Sequence, residues 1–134
     1  MSLLDQIPTA KTISPAKHAL LDYGVVATFI GMGWKYAGRN NRAAALAFIN
    51  AGMVLGVSMS TDYPGGVWKK ISFKTHRTMD AIQALVAGAG PILFGFARSE
   101  DAKPFYSQAA SEVGVIAATD WNGMDADSTV MSVA

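Results

Sequence analysis

The sequence has no cysteine and few charged residues for its length. The absence of cysteine excludes disulfides, thiolate metal ligands and cysteine nucleophiles. Charged residues make up 16% of the 134 positions and the net charge is +1, whereas about 25% charged residues is usual in soluble domains. Basic residues neither form a run nor alternate with aromatic residues, so no nucleic-acid partner is expected.

Motifs of several enzyme classes are missing as well. The sequence has no Gly-x-Ser-x-Gly nucleophile motif, no P-loop and no dinucleotide-binding fingerprint. Residues 1–10 also lack the basic and apolar segments that mark a cleaved signal peptide. We therefore expect that the protein is not an enzyme and that any membrane insertion uses internal segments.

The chain contains an internal repeat with an offset of 58 residues. Residues 61–65 (Thr-Asp-Tyr-Pro-Gly) recur as residues 119–123 (Thr-Asp-Trp-Asn-Gly), and the only two histidines fall into register. Windows 13–66 and 71–124 share eleven identical positions, which in the first window are Ile13, Ser14, His18, Asp22, Ala44, Ala51, Gly56, Val57, Thr61, Asp62 and Gly65. The repeat predicts a tandem duplication. Its parts are a leader (1–12), repeat 1 (13–66), repeat 2 (71–124) and a tail (125–134).

Each repeat is predicted to form a hairpin of two helices. Ser14 is a typical N-cap with Pro15 at the first helical position, and Ser72 is the N-cap of the matching helix in repeat 2. The predicted helices cover residues 15–37, 43–60, 73–97 and 104–119, and Pro91 should kink the third. Short turns between them predict an all-α, four-helix, up-down-up-down bundle. Helices 1 and 3 then begin, and helices 2 and 4 finish, at one end, which we call the motif end.

The composition of the helices favours a membrane environment over the alternative, a small soluble bundle. Residues 43–60 carry no charge over 18 positions, which is close to the minimum for a transmembrane helix. Glycine and alanine lie inside the apolar runs, as in helices that pack within a bilayer. The shortness of helices 2 and 4 and the presence of Glu112 in helix 4 argue against it. We predict a transmembrane bundle with interfacial aromatic anchors at Trp34, Tyr36, Trp68 and Trp121.

The chain resembles the SPW-repeat family of small bacterial integral membrane proteins. The motifs that carry the resemblance are Ile13-Ser14-Pro15-x-x-His18-x-x-x-Asp22-Tyr23, Thr61-Asp62-Tyr63, His76-x-x-x-Asp80 and the run from Gly90 to Phe96. In that run Gly90 replaces the signature serine and Ile92 the signature tryptophan. The resemblance covers about residues 13–121 and implies a four-helix protein of the bacterial inner membrane. It implies no activity. Lysine and arginine number six at the motif end and five at the other end, which favours a cytoplasmic motif end.

Polar residues at the motif end allow two interpretations. His18 and Asp22, like His76 and Asp80, are spaced to share one helix face. In the first interpretation each histidine bonds a helix-end aspartate and the set forms a polar clamp between hairpins, with members His18, Asp22, Asp62, His76, Asp80 and Asp120. In the second, His18 and His76 bind a cofactor, either a haem, a chlorin or a metal. We favour the clamp, and with it no cofactor.

Glu112 is a second polar feature, because its counterpart in repeat 1 is Val54. It is either an intramembrane acid with a functional role or the partner of Gln83. The first function hypothesis is a structural or accessory subunit that packs against a larger membrane complex, or against copies of itself. The alternative is a cofactor-binding membrane protein that uses His18 and His76.

Overall fold

A computed structural model describes residues 11–125 of the chain. The predicted leader and tail lie almost entirely outside the described residues. The described part is all-helical, with four long helices, a short 3-10 helix at Glu100–Ala102 and no strand within residues 11–125. The long helices are α1 (Pro15–Tyr36), α2 (Asn41–Ser60), α3 (Phe73–Leu93) and α4 (Lys103–Ala118).

The helix starts follow from their capping residues, as predicted. Ser14 Oγ accepts a hydrogen bond from the backbone N–H of Lys17, and Ser72 Oγ accepts one from Thr75. Each serine therefore satisfies a backbone donor that the first helical turn leaves free. Asn40 caps α2 in the same way, through a bond to the N–H of Ala43.

Helix α3 is shorter than predicted, because it ends at Leu93 rather than near residue 97. Pro91 lies in its last turn, where the ring has no N–H to donate, and the helix continues for only two further residues. Gly95 follows with φ +80, a conformation that glycine adopts readily. The proline thus marks the end of the helix.

Consecutive helices pack against each other in an up-down-up-down bundle. The main core surrounds Phe29, Leu46 and Phe105 at the end away from the motifs. A smaller cluster of Ala19, Tyr63, Phe73 and Trp121 fills the motif end. Glycine permits a close helix approach at Gly90, where a Cβ would lie 2.5 Å from a methyl group of the fully buried Leu46.

Two backbone bridges tie the motif end together. Ile13 pairs with Thr119, and Ile71 pairs with Thr61, each in a single parallel bridge. In each bridge the residue before a helix start meets the residue after a helix end. Because both pairs obey the offset of 58, the bridges are the same contact made twice.

One helix among the described residues is long and apolar enough to cross a membrane. This helix is α2, with a mean hydropathy of 1.7 over its best window. Helix α4 has only 16 residues, and α1 and α3 carry charged residues in their first turns. The prediction of four spans is therefore supported for one helix only.

Two of the four predicted interfacial anchors are core residues. Trp34 and Trp68 are exposed, by 73% and 56%, as anchors would be. Tyr36 and Trp121 are buried instead. The ring of Tyr36 stacks on Phe105, and the Trp121 indole donates to the Ile116 carbonyl. Their burial follows from this packing, which sequence spacing does not reveal.

Candidate functional site

Four ionisable side chains meet inside the motif end. His18 and Asp22 come from the first turns of α1, and His76 and Asp80 from the matching turns of α3. One potential ligand atom from each lies within 4.8 Å of all the others. Both histidines are essentially inaccessible to solvent, and the two carboxylate side chains are 10% and 18% exposed. We call these residues the His-Asp cluster.

Each histidine reaches the aspartate of the other repeat as well as its own. His18 Nε2 lies 2.9 Å from an oxygen of Asp80 and 3.4 Å from one of Asp22. His76 Nε2 lies 3.1 Å from Asp22 and 3.0 Å from Asp80. The i,i+4 spacing that defined the motif therefore describes only half of the contacts.

Threonine hydroxyls hold the other nitrogen of each ring. His18 Nδ1 lies 2.9 Å from Thr119 Oγ1, and His76 Nδ1 lies 2.7 Å from Thr61 Oγ1. Each threonine hydroxyl donates its single proton to the backbone carbonyl four residues earlier, at 2.6 Å. The hydroxyl oxygen is then an acceptor, so each Nδ1 carries a proton and donates it. This arrangement turns each Nε2 toward the carboxylates.

The threonines replace Asp62 and Asp120 as the partners of the histidines. Asp62 is exposed, and Asp120 accepts a bond from the N–H of Asn122 in its own turn. The aspartate side chains follow the threonines by one residue and leave the bundle, because the backbone is extended at the helix end. The clamp contains four of its six predicted members, together with Thr61 and Thr119. Both threonines belong to the positions that are identical between the repeats. This identity could have indicated from the sequence that they are part of the site.

Aromatic rings shield the histidines from solvent. The Trp121 and Phe73 rings stand edge-on to His18, at 5.0 and 5.4 Å between centroids. Tyr63 lies 5.1 Å from His76, and its hydroxyl donates to Asp22 at 2.8 Å. Little of the cluster reaches water, so each charge in it needs an opposite charge nearby.

The carboxylates favour the charged form of one histidine. Burial opposes the charged ring of His76, but the carboxylates of Asp22 and Asp80 outweigh it and raise its pKa to about 9. The His18 ring makes the matching contacts, since it donates from Nδ1 to Thr119 and lies 2.9 Å from Asp80 through Nε2.

One nitrogen of the cluster has no aligned hydrogen bond. His76 Nε2 is buried and, within residues 11–125, makes no hydrogen bond of acceptable geometry, although oxygens of Asp22 and Asp80 lie 3.1 and 3.0 Å from it. Such unsatisfied polar atoms are rare in protein interiors and call for an explanation. Each carboxylate presents one oxygen to His18 and the other to His76, at ion-pair distances. One ligand atom from each of the four residues lies within 4.8 Å of the others, so an ion with bonds of about 2.1 Å would draw these side chains together.

A haem or chlorin does not fit between the histidines. An axially ligated macrocycle would have to pass between the two rings, whose centroids are 5.1 Å apart in an edge-to-face arrangement. The Nε2 atoms that would ligate its metal contact the carboxylates of Asp22 and Asp80 instead. Of the cofactors considered from the sequence, a single metal ion fits these residues best.

Glu112 lies deeper in the bundle, beside the cluster. The residue is 8% exposed, and neither carboxylate oxygen has a hydrogen-bond partner among the described residues. Gln83, the predicted partner, donates to Asn50 at 2.8 Å and lines the same small cavity as Glu112. A cavity of about 30 Å³ separates Glu112 from Asp22 and Asp80. That volume accommodates a water molecule, which would satisfy Glu112 and connect it to the cluster.

No protein-family model, curated protein or solved structure matches the chain. The resemblance to the SPW-repeat family therefore stays a prediction.

Proposed function

We propose that the His-Asp cluster binds one divalent first-row transition ion, such as zinc. The observation that carries the proposal is His76 Nε2, a buried nitrogen without an aligned bond, in a set of four potential ligand atoms that lie within 4.8 Å of one another. Two imidazoles and two carboxylates form a donor set that suits such ions. The Nδ1 bonds to Thr61 and Thr119 would fix the ring orientation, as second-shell partners do at metal sites.

Charge balance supports the same proposal. A divalent ion held by two neutral imidazoles and the two carboxylates would form a group with no net charge. Burying an ion here would therefore add no uncompensated charge, which is the main cost of a buried ionic site. Below pH 9, binding should release the proton that His76 holds.

Metal analysis of the purified protein tests this proposal. We expect one ion per chain after loading with zinc and desalting, and none in the double variant Asp22→Asn/Asp80→Asn. The matched control is Asp62→Asn/Asp120→Asn, which changes the same residue type at the same end without touching the cluster. Wild-type protein that retains no metal at neutral pH would reject the site.

We further propose that the bundle is embedded in a membrane and arose by duplication of one hairpin. Between the levels of Arg77 in α3 and Lys35 in α1, the charged side chains of the described helices are nearly buried: Asp22 and Asp80 are 10% and 18% exposed, and Glu112 is buried. Large apolar side chains are exposed there, including Leu20 and Leu85 at 76% and 69%. This surface is typical of a lipid-facing one. The duplication is supported by the repeated contacts of the His-Asp cluster and the two backbone bridges.

The height of this apolar band is compatible with a thin bilayer. Residues 20–34 of α1 span about 22 Å at 1.5 Å per residue, somewhat less than the ~30 Å of a typical hydrocarbon core. A bilayer adapts to such a mismatch by thinning locally. The exposed Trp34 and Trp68 lie near opposite ends of the bundle, as interfacial tryptophans do.

Alkaline carbonate extraction of membranes tests the embedding. We expect the protein to stay in the pellet, because leaving the bilayer would expose the apolar band to water. Recovery of folded protein in the carbonate supernatant would reject the embedding and would favour a soluble bundle. The metal site would survive that outcome, since its ligands lie inside the bundle.

A structural role is the second candidate, and one observation favours it. Both histidines already contact both carboxylates without a metal, so the cluster can lock the hairpins together on its own. In that case the protein would act as an accessory subunit through its exposed apolar band, or assemble with copies of itself. Metal-free wild-type protein with a stable bundle would favour this role.

A further inference from the structure

A large groove runs between α3 and α4 on the outside of the bundle. Its volume is about 1100 Å³, at the upper end of the range for small-molecule sites. The floor consists of small and apolar side chains, among them Ala81, Ala84, Gly88 and Val113. Trp121 forms part of the wall at the motif end.

The groove has a cationic rim at the motif end. Lys11, Lys74 and Arg77 line it together with a single acid, Asp120, so the lining has a net charge of +2. Lys11 donates to the Ala117 carbonyl, and Lys74 forms an exposed ion pair with Asp125. Arg77 makes no hydrogen bond or ion pair with the residues that the structure describes. Its planar guanidinium suits bidentate recognition of a phosphate.

Larger side chains occupy two of the corresponding positions of repeat 1. The position of Ala81 is occupied there by Tyr23, whose hydroxyl donates to the Gly65 carbonyl at 2.6 Å. Likewise the position of Gly88 is occupied by Ile30. The second hairpin thus differs from the first by small residues that open its surface.

Two of the three rim cations are also specific to repeat 2. Lys74 and Arg77 correspond to Ala16 and Ala19 in repeat 1, whereas Lys11 has a counterpart in Lys69. The small residues of the floor and these two cations therefore occur together in one hairpin only. A general requirement of the bundle would affect both hairpins, so this difference points to a ligand.

We propose that the groove binds one phospholipid with an anionic headgroup. The phosphate contacts Arg77 and Lys74, and an acyl chain lies along the floor past Ala81 and Gly88. The groove follows α3 from Arg77 to Ala89, about 18 Å at 1.5 Å per residue, close to one leaflet of a ~30 Å hydrocarbon core. This inference rests on the membrane embedding proposed above. It does not depend on the metal.

Native mass spectrometry of delipidated protein tests the inference. The protein in detergent is mixed with phosphatidylglycerol and phosphatidylcholine of identical acyl chains. We expect one phosphatidylglycerol per chain and a preference of more than tenfold over phosphatidylcholine. Arg77→Ala should lower phosphatidylglycerol affinity about fivefold, the effect of one cation at a membrane surface. Arg98→Ala, a cation at the opposite end, is the matched control and should have no effect.

A second variant tests the apolar floor without removing a charge. Ala81→Tyr introduces the side chain found in repeat 1, and because Ala81 is exposed the bundle can accept it. We expect it to abolish binding of both lipids, while Ala27→Tyr, at an exposed alanine of α1, leaves binding unchanged.

Three outcomes would overturn the inference: equal binding of the two lipids by the wild type, unchanged binding in Ala81→Tyr, or displacement of phosphatidylglycerol by inorganic phosphate. The last would show a site for an anion only. Carbonate extraction and metal content are measured on the same preparations. A membrane-embedded protein without lipid preference would then reject the groove alone, whereas an extractable protein would reject the embedding.

Discussion

Saturating zinc should raise the midpoint of thermal unfolding of the wild-type protein by roughly 10 °C or more. A ligand that binds only the folded state at 1,000 times its dissociation constant contributes about 4 kcal/mol, and each kcal/mol shifts the midpoint of a domain of this size by roughly 3–4 °C. The ligands come from α1 and α3, so the ion would join the two hairpins directly. Differential scanning calorimetry of metal-free and zinc-loaded protein measures the shift.

The shift should vanish when a ligand is removed. His76→Gln keeps a side chain of similar polarity but lacks the imidazole, and Asp80→Asn keeps the shape of the carboxylate but not its charge. The Asp62→Asn/Asp120→Asn control should retain the full shift, because neither side chain bonds to a histidine. An equal shift in His76→Gln and the wild type would show that zinc binds elsewhere.

Metal-free and metal-loaded protein should respond to pH in opposite directions. The pKa of His76 is raised from 6.5 to about 9 by the two carboxylates. A raised pKa means that the folded state holds the proton more tightly than the unfolded state does. The resulting stabilisation is complete below pH 6.5 and is lost as pH rises through about 9. It amounts to about 3 kcal/mol at most, because one pKa unit corresponds to about 1.4 kcal/mol.

Metal binding reverses this dependence, since the ion competes with protons for the same nitrogen atoms. Below pH 9 the apparent affinity should rise about tenfold per pH unit for each proton displaced. The unfolding midpoint of the metal-free protein should therefore fall between pH 6.5 and 9, while the increase caused by zinc should grow. Calorimetry at three pH values separates the two trends. A zinc effect that is independent of pH would contradict the displacement of protons from the histidines.

The helices were predictable from the sequence because their signals are local. Ser14 and Ser72 cap the helices that they were expected to cap. The repeat also placed both histidines at one end of the bundle, together with the four aspartates that the repeats share: Asp22, Asp62, Asp80 and Asp120. The end of α3 at Leu93 was missed. A proline can kink a helix or end it, and which of the two happens at Pro91 depends on the packing of the residues that follow.

The pairing within the site was not predictable to the same degree. Helical spacing relates His18 to Asp22, but the bond from His18 to Asp80 depends on how closely α1 and α3 approach. The threonines were passed over because the charge of Asp62 made it the more obvious partner. Only the direction of the backbone at the helix end decides which of two adjacent side chains faces inward.

The exchange of partners between repeats bears on how a chain with two hairpins arose. Neither hairpin contains all the contacts of its own histidine. Each ring contacts a carboxylate and a threonine that belong to the other hairpin. His18 of the first hairpin depends on Thr119 of the second, whereas His76 of the second depends on Thr61 of the first. An ancestor with a single hairpin would have achieved these contacts only as a dimer of two identical chains. Gene fusion would then have preserved an intersubunit contact as an intramolecular one, and freed the second hairpin to open its groove.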